Sequence, residues 1–209
     1  MAQFWDQLYS GADYAYGTEP NQFLKRSLPP VCPGMSALAV ADGEGRNGVW
    51  LARQGFDVLS IDFSSVGLEK ARKLAERYGV SLRTANADLL SWDWPNGIFD
   101  VVVSIFIHFE SQTRVRIHAA MQNALRPGGT LILTAFTPLQ LTYNTGGPPQ
   151  PELLYTKEQL RADFDGLEIS VLEETVLHLQ EGFVHTGPAA VVEMVARKMP
   201  VRLDQISRL

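Results

Sequence analysis

The sequence predicts a doubly wound α/β fold: a mostly parallel seven-stranded sheet with helices on both faces and an antiparallel hairpin at its C-terminal end. Three observations carry this. Short apolar runs alternate with helically spaced segments from residue 37 to residue 136, the grammar of right-handed β-α-β crossovers. The most apolar run, FDVVVSIFIHF (99–109), has the character of a central parallel strand buried on both faces. Beyond residue 166 the alternation stops, and two long runs of period two follow with no room for a helix between them.

In chain order, ALAVA (37–41) is a short buried strand leading straight into the glycine-rich GEGRNG (43–48). Residues 45–54 place Val49, Leu51 and Ala52 at helical spacing and stop at Gly55, a C-cap signal. DVLSID (57–62) is the second strand. Val66, Leu68, Ala71, Leu74 and Ala75 recur at three- and four-residue steps, predicting a helix over 65–78 ended by Gly79. SLRTANA (81–87) alternates as a third strand, and 99–109 is the fourth. A helix covers 112–125, and TLILTAF (130–136) is the fifth strand.

Residues 137–155 are Pro/Gly-rich and lack periodicity; a short helix (157–164) follows. LEISVLEETVLHLQ (167–180) and AAVVEMVARK (189–198), joined by EGFVHTGP, pair as an antiparallel hairpin. The whole reads as one domain: a cap segment (1–36), a cofactor-binding core (37–136) and a ligand-side loop with the hairpin (137–209). In the aromatic-rich cap, a helix packed on the sheet accounts for Phe4, Trp5, Tyr9 and Phe23. Tyr14-Ala15-Tyr16-Gly17 reads as a turn able to fold over a ligand.

Composition bounds the partners. A chain of 209 residues with 45% hydrophobic and 20% charged residues suits one soluble domain with a full core. The net charge of −5 and the absence of a Lys/Arg run argue against nucleic acid. No apolar stretch reaches bilayer length, and MAQFWDQLYSG lacks the basic and apolar regions of a secretion signal. Cys32 is the only cysteine, so no intrachain disulfide can form, and a cytoplasmic location is expected. The histidines and the cysteine show no metal-ligand spacing.

GEGRNG matches G-x-G-x-x-G. A glycine turn between strand and helix lets a ligand approach the backbone, and the helix N-terminus favours electron-rich groups. Asp62 ends the second strand 19 residues after Gly43, where an acid accepts from ribose hydroxyls. Asp88, in NADL at the end of the third strand, can accept from an adenine amino group. These features imply an adenosine-bearing cofactor, and the loop alone fits NAD or S-adenosylmethionine equally. The rest of the chain weighs against NAD, because it has no second βαβαβ half for a nicotinamide.

Taken together, the motifs resemble a class I S-adenosylmethionine-dependent methyltransferase with a Rossmann-like fold, and its small tellurite-resistance-type branch in particular. GEGRNGVWLA, VLSIDFS, NADLL, FDVVVSIFIHF and LRPGGTLIL resemble that family's successive motifs in order and spacing. DYAYGTEPNQFL and EGFVHTGPAAVV resemble stretches of the branch outside the core. The resemblance implies that Gly43, Glu44 and Gly45 line the methionine and ribose part of S-adenosylmethionine, with Arg46 and Asn47 opening the helix behind. It implies that Asp62 holds the ribose and Phe63 packs on the adenine. Asp88 and Leu89 would frame the adenine edge, and Ser104 and Ile105 would face the sulfonium with backbone atoms.

The sequence departs from the family's D-x-G-x-G-x-G: Ala39 stands for the acid and Ala41 for the first glycine. The missing carboxylate would help hold the cofactor's ammonium group. Ala41 is tolerable if φ is negative there, and Asp42 is placed to supply the charge from a shifted position.

Methyl transfer from a sulfonium needs mainly alignment and exclusion of water, with a base only for a protonated acceptor. No catalytic pair stands out. Tyr16, His108 and His185 are the acceptor-side candidates, His108 following the fourth strand and His185 in the hairpin tip. His118 and His178 read as exposed positions. Thr142, Tyr143 and Asn144 are the polar residues of a loop long enough to cover an acceptor. The expected activity is methylation of a small molecule. Two alternatives remain: an NAD-dependent oxidoreductase, from GEGRNG, and a cofactor-binding protein without turnover, from Ala39 and Ala41.

Overall fold

The structure, a computed structural model, describes residues 2–143 and 145–200. Seven strands form one sheet: β1 (Ser36–Val40), β2 (Asp57–Asp62), β3 (Arg83–Asn86), β4 (Phe99–Ile105), β5 (Leu125–Phe136), β6 (Glu168–Glu181) and β7 (His185–Arg197). Their order is β3-β2-β1-β4-β5-β7-β6. β1 to β5 run parallel, while β7 pairs antiparallel with both β5 and β6. The predicted fold class is the one observed, and the winding reverses between β1 and β4, where open α/β sheets bind ligands.

Helices α1 (Ala2–Tyr9) and α2 (Gln22–Ser27) precede the sheet; α3 (Arg46–Arg53), α4 (Ser65–Arg77), α5 (Ser111–Ala124) and α6 (Lys157–Asp163) are interleaved with it. Alternation along the central strands divides the core. Leu38, Val102 and Leu131 face Ile117 and Met121 of α5 and Leu160 of α6. Ala37, Val101 and Ile132 face Phe23 and Leu24 of α2 and Leu51 of α3. No helix of the described residues is long and apolar enough to cross a membrane.

Several boundaries move, each for a local reason. β4 ends at Ile105 instead of Phe109 because Phe106 takes a left-handed φ of 56°, which no strand continues. β5 begins at Leu125, five residues before the predicted start: Leu125 pairs with Phe99 and Thr130 with Val101, and residues 126–129 bulge between the two pairs. β3 keeps only Arg83–Asn86 of the predicted run. The hairpin turn contracts to residues 182–184, with Glu181 opposite His185, so His185 opens β7 and does not sit in the tip. Residues 137–155 hold two 3-10 turns (Pro138–Thr142 and Pro151–Leu153) and fully buried Tyr155. Gln140 pins this segment by accepting from the Ala190 amide at 2.8 Å.

Two expectations are corrected outright. Phe4 is 65% exposed, because α1 turns Trp5 and Tyr9 inward and Phe4 lies on its outer side. His118 is buried, not exposed: Asp163 on α6 takes its Nδ1 at 2.7 Å and the Arg114 Nε at 2.6 Å. Those partners let two polar side chains occupy the inner face of α5.

Candidate functional site

The loop between β1 and α3 lies at the switch point. Gly43 and Gly45 hold φ of 57° and 86°, a conformation side chains resist. A Cβ on Gly45 would sit 2.5 Å from the Ala71 Cβ, so this glycine also lets α3 pack close on α4. The Asp62 carboxylate crosses from β2 to accept from the Gly43 amide at 2.7 Å and the Ser64 amide at 2.8 Å. Burial raises its pKa against the pull of those amides.

Ala41 does not have the negative φ at which an alanine would sit unstrained here. It stands at φ 44°, left-handed, where an L side chain costs roughly 1–2 kcal/mol. The only other described non-glycine residue with positive φ is Phe106. These two immediately follow β1 and β4, the strands flanking the switch point, so backbone strain is concentrated there.

The loop's charged residues reach both ends of the chain. Glu44 pairs with buried Lys70 of α4 and accepts from the Ala15 amide at 2.7 Å. Lys70 Nζ also donates to the carbonyls of Tyr9, Gly11 and Asp13. Asn47 Oδ1 accepts from the Asn21 amide at 3.0 Å. Arg46 Nη2 donates to Glu181 Oε2 at 2.8 Å, and Asn21 Nδ2 donates to Glu181 Oε1 at 3.0 Å. Burial pushes the Glu181 carboxyl up, but His185 and Arg46 outweigh it and hold it at about 2. Ala15 O accepts from the amides of Phe183 and Val184 in the hairpin turn. Tyr9 lies on the loop itself, its hydroxyl where a Gly43 Cβ would be (2.6 Å). Residues 2–21 thus form a strap across the carboxyl ends of β1 and β2.

Of the expected adenine-side residues, Phe63 is 40% exposed at the end of β2 and Leu89 is buried. Asp88 lies beyond β3, exposed, and accepts from the Leu90 amide at 2.9 Å. Ser104 and Ile105 end β4 beside Val40 of β1.

On the acceptor side, Tyr16 meets His185 edge-on, ring centroids 4.6 Å apart, and Phe106 lies 4.8 Å from the same imidazole. Phe136 stacks on Phe106 at 4.5 Å. His185 Nδ1 is buried without a hydrogen bond, 3.6 Å from Glu181 Oε2. Burial lowers its pKa, against the pull of Glu181. His108 packs nearby, but both of its nitrogens serve the backbone: Nδ1 donates to Leu153 O at 2.7 Å, and Nε2 accepts from the Phe136 amide at 3.3 Å. Burial takes its pKa to about 4. It has no nitrogen left for a substrate. Tyr16 is pushed up to about 12 by burial, against the pull of Arg46. Thr142 donates to Leu139 O, and Asn144 lies outside the described residues.

Sequence reasoning missed Lys70, Phe106, Phe136 and Glu181. Lys70 left a signal, a lysine on the face of α4 that carries Gly67, Ala71 and Leu74. Phe106 left none, since its φ is set by tertiary contacts. Among the described residues no cluster of metal-ligating side chains exists.

The comparisons with known proteins agree with this geometry. A family described as "Methyltransferase domain" matches residues 37–129. That stretch of the chain is similar to a methyltransferase domain. A glycine/sarcosine N-methyltransferase of Halorhodospira halochloris is 36% identical over 104 residues, 46% of this chain and 38% of that protein. The curated relatives that match are covered over only 36–60% of their length. Two solved structures share the fold. One, described as converting a disulfide bond into a thioacetal group in echinomycin biosynthesis, has TM-score 0.78 and 19% identity, covering 99% of this chain and 95% of that one. TehB from Haemophilus influenzae has TM-score 0.69 and 18% identity, covering 94% and 66%.

S-adenosylmethionine is the cofactor that this similarity implies. The residues present fit it in kind. Two left-handed glycines open the loop backbone, α3 starts directly behind, and a buried carboxylate ends β2. Arg46 Nη1 is buried with no partner at the same place.

Proposed function

We propose that the protein transfers a methyl group from S-adenosylmethionine to a small-molecule acceptor in the cytoplasm. The observation that carries this reading is the convergence, at the ends of β4 and β5, of Tyr16, Phe106, Phe136 and His185 beside the glycine loop. In this reading Gly43, Gly45 and Asn47 take the methionine end of the cofactor. Asp62 takes the ribose, and Phe63, Asp88 and Leu89 take the adenine. The sulfonium supplies an already activated carbon.

The chain's own residues then align the acceptor and keep water out. Residues 2–21 and the hairpin turn cover the site. Glu44 serves the cover rather than the cofactor, since Lys70 and the Ala15 amide use its carboxylate. The aromatic walls favour an organic acceptor, and His185 is the group able to take a proton from it. His108 positions the Phe136 and Leu153 backbone and does not titrate in the working range. The net charge of −5 disfavours a nucleic acid.

The test is a thermal-shift titration with S-adenosylmethionine, S-adenosylhomocysteine and NADH, on the wild type and Asp62→Ala. A ligand at a hundred times its dissociation constant adds about 2.7 kcal/mol, roughly 5–10 °C at this size. The expected result is a shift with the two sulfur ligands only, weakened in Asp62→Ala. A shift with NADH alone would overturn the reading. S-adenosylhomocysteine formation over a panel of amines, thiols and phenols then tests turnover.

A further inference from the structure

We propose that Glu181 is a positioning residue acting through His185: it holds the imidazole proton on Nδ1 and so leaves the lone pair on Nε2, at the ring edge turned away from the carboxylate. The inference rests on the reading of His185 as the group that takes the acceptor's proton, and it names the atom that does so.

Turn geometry brings the two residues together. The hairpin turn is only residues 182–184, so Glu181 and His185 are the last facing pair of β6 and β7. Gly182, at φ 65°, lets the chain reverse this tightly. A directly facing pair points both side chains to one face of the sheet, about 5 Å apart at Cβ.

The carboxylate is held from two sides before it meets the imidazole. Asn21 Nδ2 donates to Oε1 at 3.0 Å, and Arg46 Nη2 donates to Oε2 at 2.8 Å. Asn21 is itself fixed: its Oδ1 caps α2 by accepting from the Phe23 and Leu24 amides, which leaves its amide nitrogen for Glu181. With these donors around it, Glu181 stays ionised at neutral pH. His185 Nδ1 lies 3.6 Å from Oε2, buried and without another partner. That separation is beyond a formed hydrogen bond, and contacts of this kind commonly tighten when a site fills.

Electrostatics then select the tautomer. A neutral imidazole has one N–H and one lone pair. A lone pair at Nδ1 would face an anion in a dry site, whereas an N–H there finds the acceptor a buried donor needs. The charged and titratable groups around the ring are Glu181 of β6, Arg46 of α3, Tyr16 of the strap and His108 beyond β4. Only Glu181 among them brings a negative charge. The opposite edge is kept clear. A Cβ on Gly146 would sit 2.8 Å from His185 Cδ2 and 3.5 Å from Nε2, so a glycine in the 137–155 segment keeps side-chain atoms off it.

The test reads the tautomer directly and needs neither cofactor nor acceptor. Imidazole nitrogen NMR spectra of the nitrogen-15-labelled full chain are recorded for wild type, Glu181→Gln and Glu181→Met, on the high-pH side of the His185 titration. The His185 signals are assigned by their loss in His185→Gln. His108, whose Nδ1 donates to Leu153 O, is an internal standard for the same tautomer. The expected wild-type spectrum shows His185 protonated at Nδ1. In Glu181→Met the ratio moves towards Nε2–H by about tenfold or more, in Glu181→Gln it moves the same way by less, and His108 does not change.

A wild-type His185 protonated at Nε2 would overturn the proposal. So would an unchanged ratio in folded Glu181→Met, which would leave Glu181 a purely structural tether for Arg46 and Asn21. Should Glu181→Met not fold, near-isosteric Glu181→Gln decides by whether the ratio moves at all. A protein with the expected tautomer that methylates no acceptor would defeat the methyl-transfer reading and leave Glu181 as the residue that sets the tautomer. Turnover by a protein whose His185 is protonated at Nε2 would do the reverse.

Discussion

Gly48→Ala is expected to reverse the usual sign of a helical glycine substitution. In an unobstructed helix interior, Gly→Ala stabilises by roughly 0.5–1 kcal/mol. Here the added Cβ would lie 2.4 Å from Asp42 Oδ2, and 3.3 Å from its Cγ, in a buried site. The carboxylate must swing away, which strains the packing by about 1–3 kcal/mol and weakens hydrogen bonds to a charged group worth about 1.5–3 kcal/mol. Set against the propensity gain, the net loss is about 2 kcal/mol, or roughly 4–8 °C in Tm for a chain of this length.

The same geometry says how to cancel it. With Asp42→Ala in place, the nearest remaining neighbour of the new Cβ is the Ala39 Cβ at 3.5 Å, an ordinary contact. In that background Gly48→Ala becomes neutral or mildly stabilising, and the coupling energy of the cycle is about 2–3 kcal/mol. Reversible urea unfolding of the four proteins supplies the numbers. A Gly48→Ala variant as stable as wild type, or losses that simply add, would refute the placement of the Asp42 carboxylate beneath α3.

Three further outcomes follow from the same coordinates. Burial raises the Asp42 carboxyl to about 7 despite hydrogen bonds from Ser60 and Gly48. Its folded pKa therefore lies above its unfolded one, and Asp42 costs stability increasingly as pH rises from about 4 to 7. Asp42→Asn should gain on wild type at pH 8 and lose that advantage progressively as pH falls to about 4 in parallel thermal melts. Asp163 behaves oppositely: burial raises its pKa, but His118 and Arg114 outweigh it and hold it low. Its contribution is present at neutral pH and lost as pH falls below the ordinary carboxylate range. Asp163→Ala, which strands buried Arg114, should cost about 3–5 kcal/mol in urea unfolding at pH 7. Glu181→Ala should leave Arg46 unpaired and speed amide exchange at Phe183 and Val184, which donate to Ala15.

Much of this molecule is legible from residue pattern. The α3 and α4 periods, the glycine loop and the apolar run of β4 fix the winding, because local spacing and burial agree there. What escapes is set by contacts distant in sequence. His118 reads as exposed because Asp163, which allows its burial, lies 45 residues away on another helix. The sign of φ at Ala41 and Phe106 depends on what surrounds the switch point, and neither residue type favours the left-handed region. The strap is equally hidden: residues 10–21 have no periodicity, and their order comes from Lys70 and Glu44. For the site, the glycines and Asp62 announce themselves by spacing. His108 resembles a free base in sequence and is a backbone brace in three dimensions.

The glycine loop is also a meeting point for the N-terminal strap and the β6–β7 hairpin. Glu44 reaches the N-terminal segment, Asn47 reaches Asn21, and Arg46 reaches the C-terminal hairpin. Occupancy of the loop and order of the strap and hairpin turn are therefore one thermodynamic quantity seen from two sides. Whatever factor the tethered strap and hairpin turn add to cofactor affinity, the cofactor returns as an equal shift of their opening equilibrium. Disturbances near residue 15 or residue 183, far from the glycine loop in sequence, would be felt as changes in cofactor affinity.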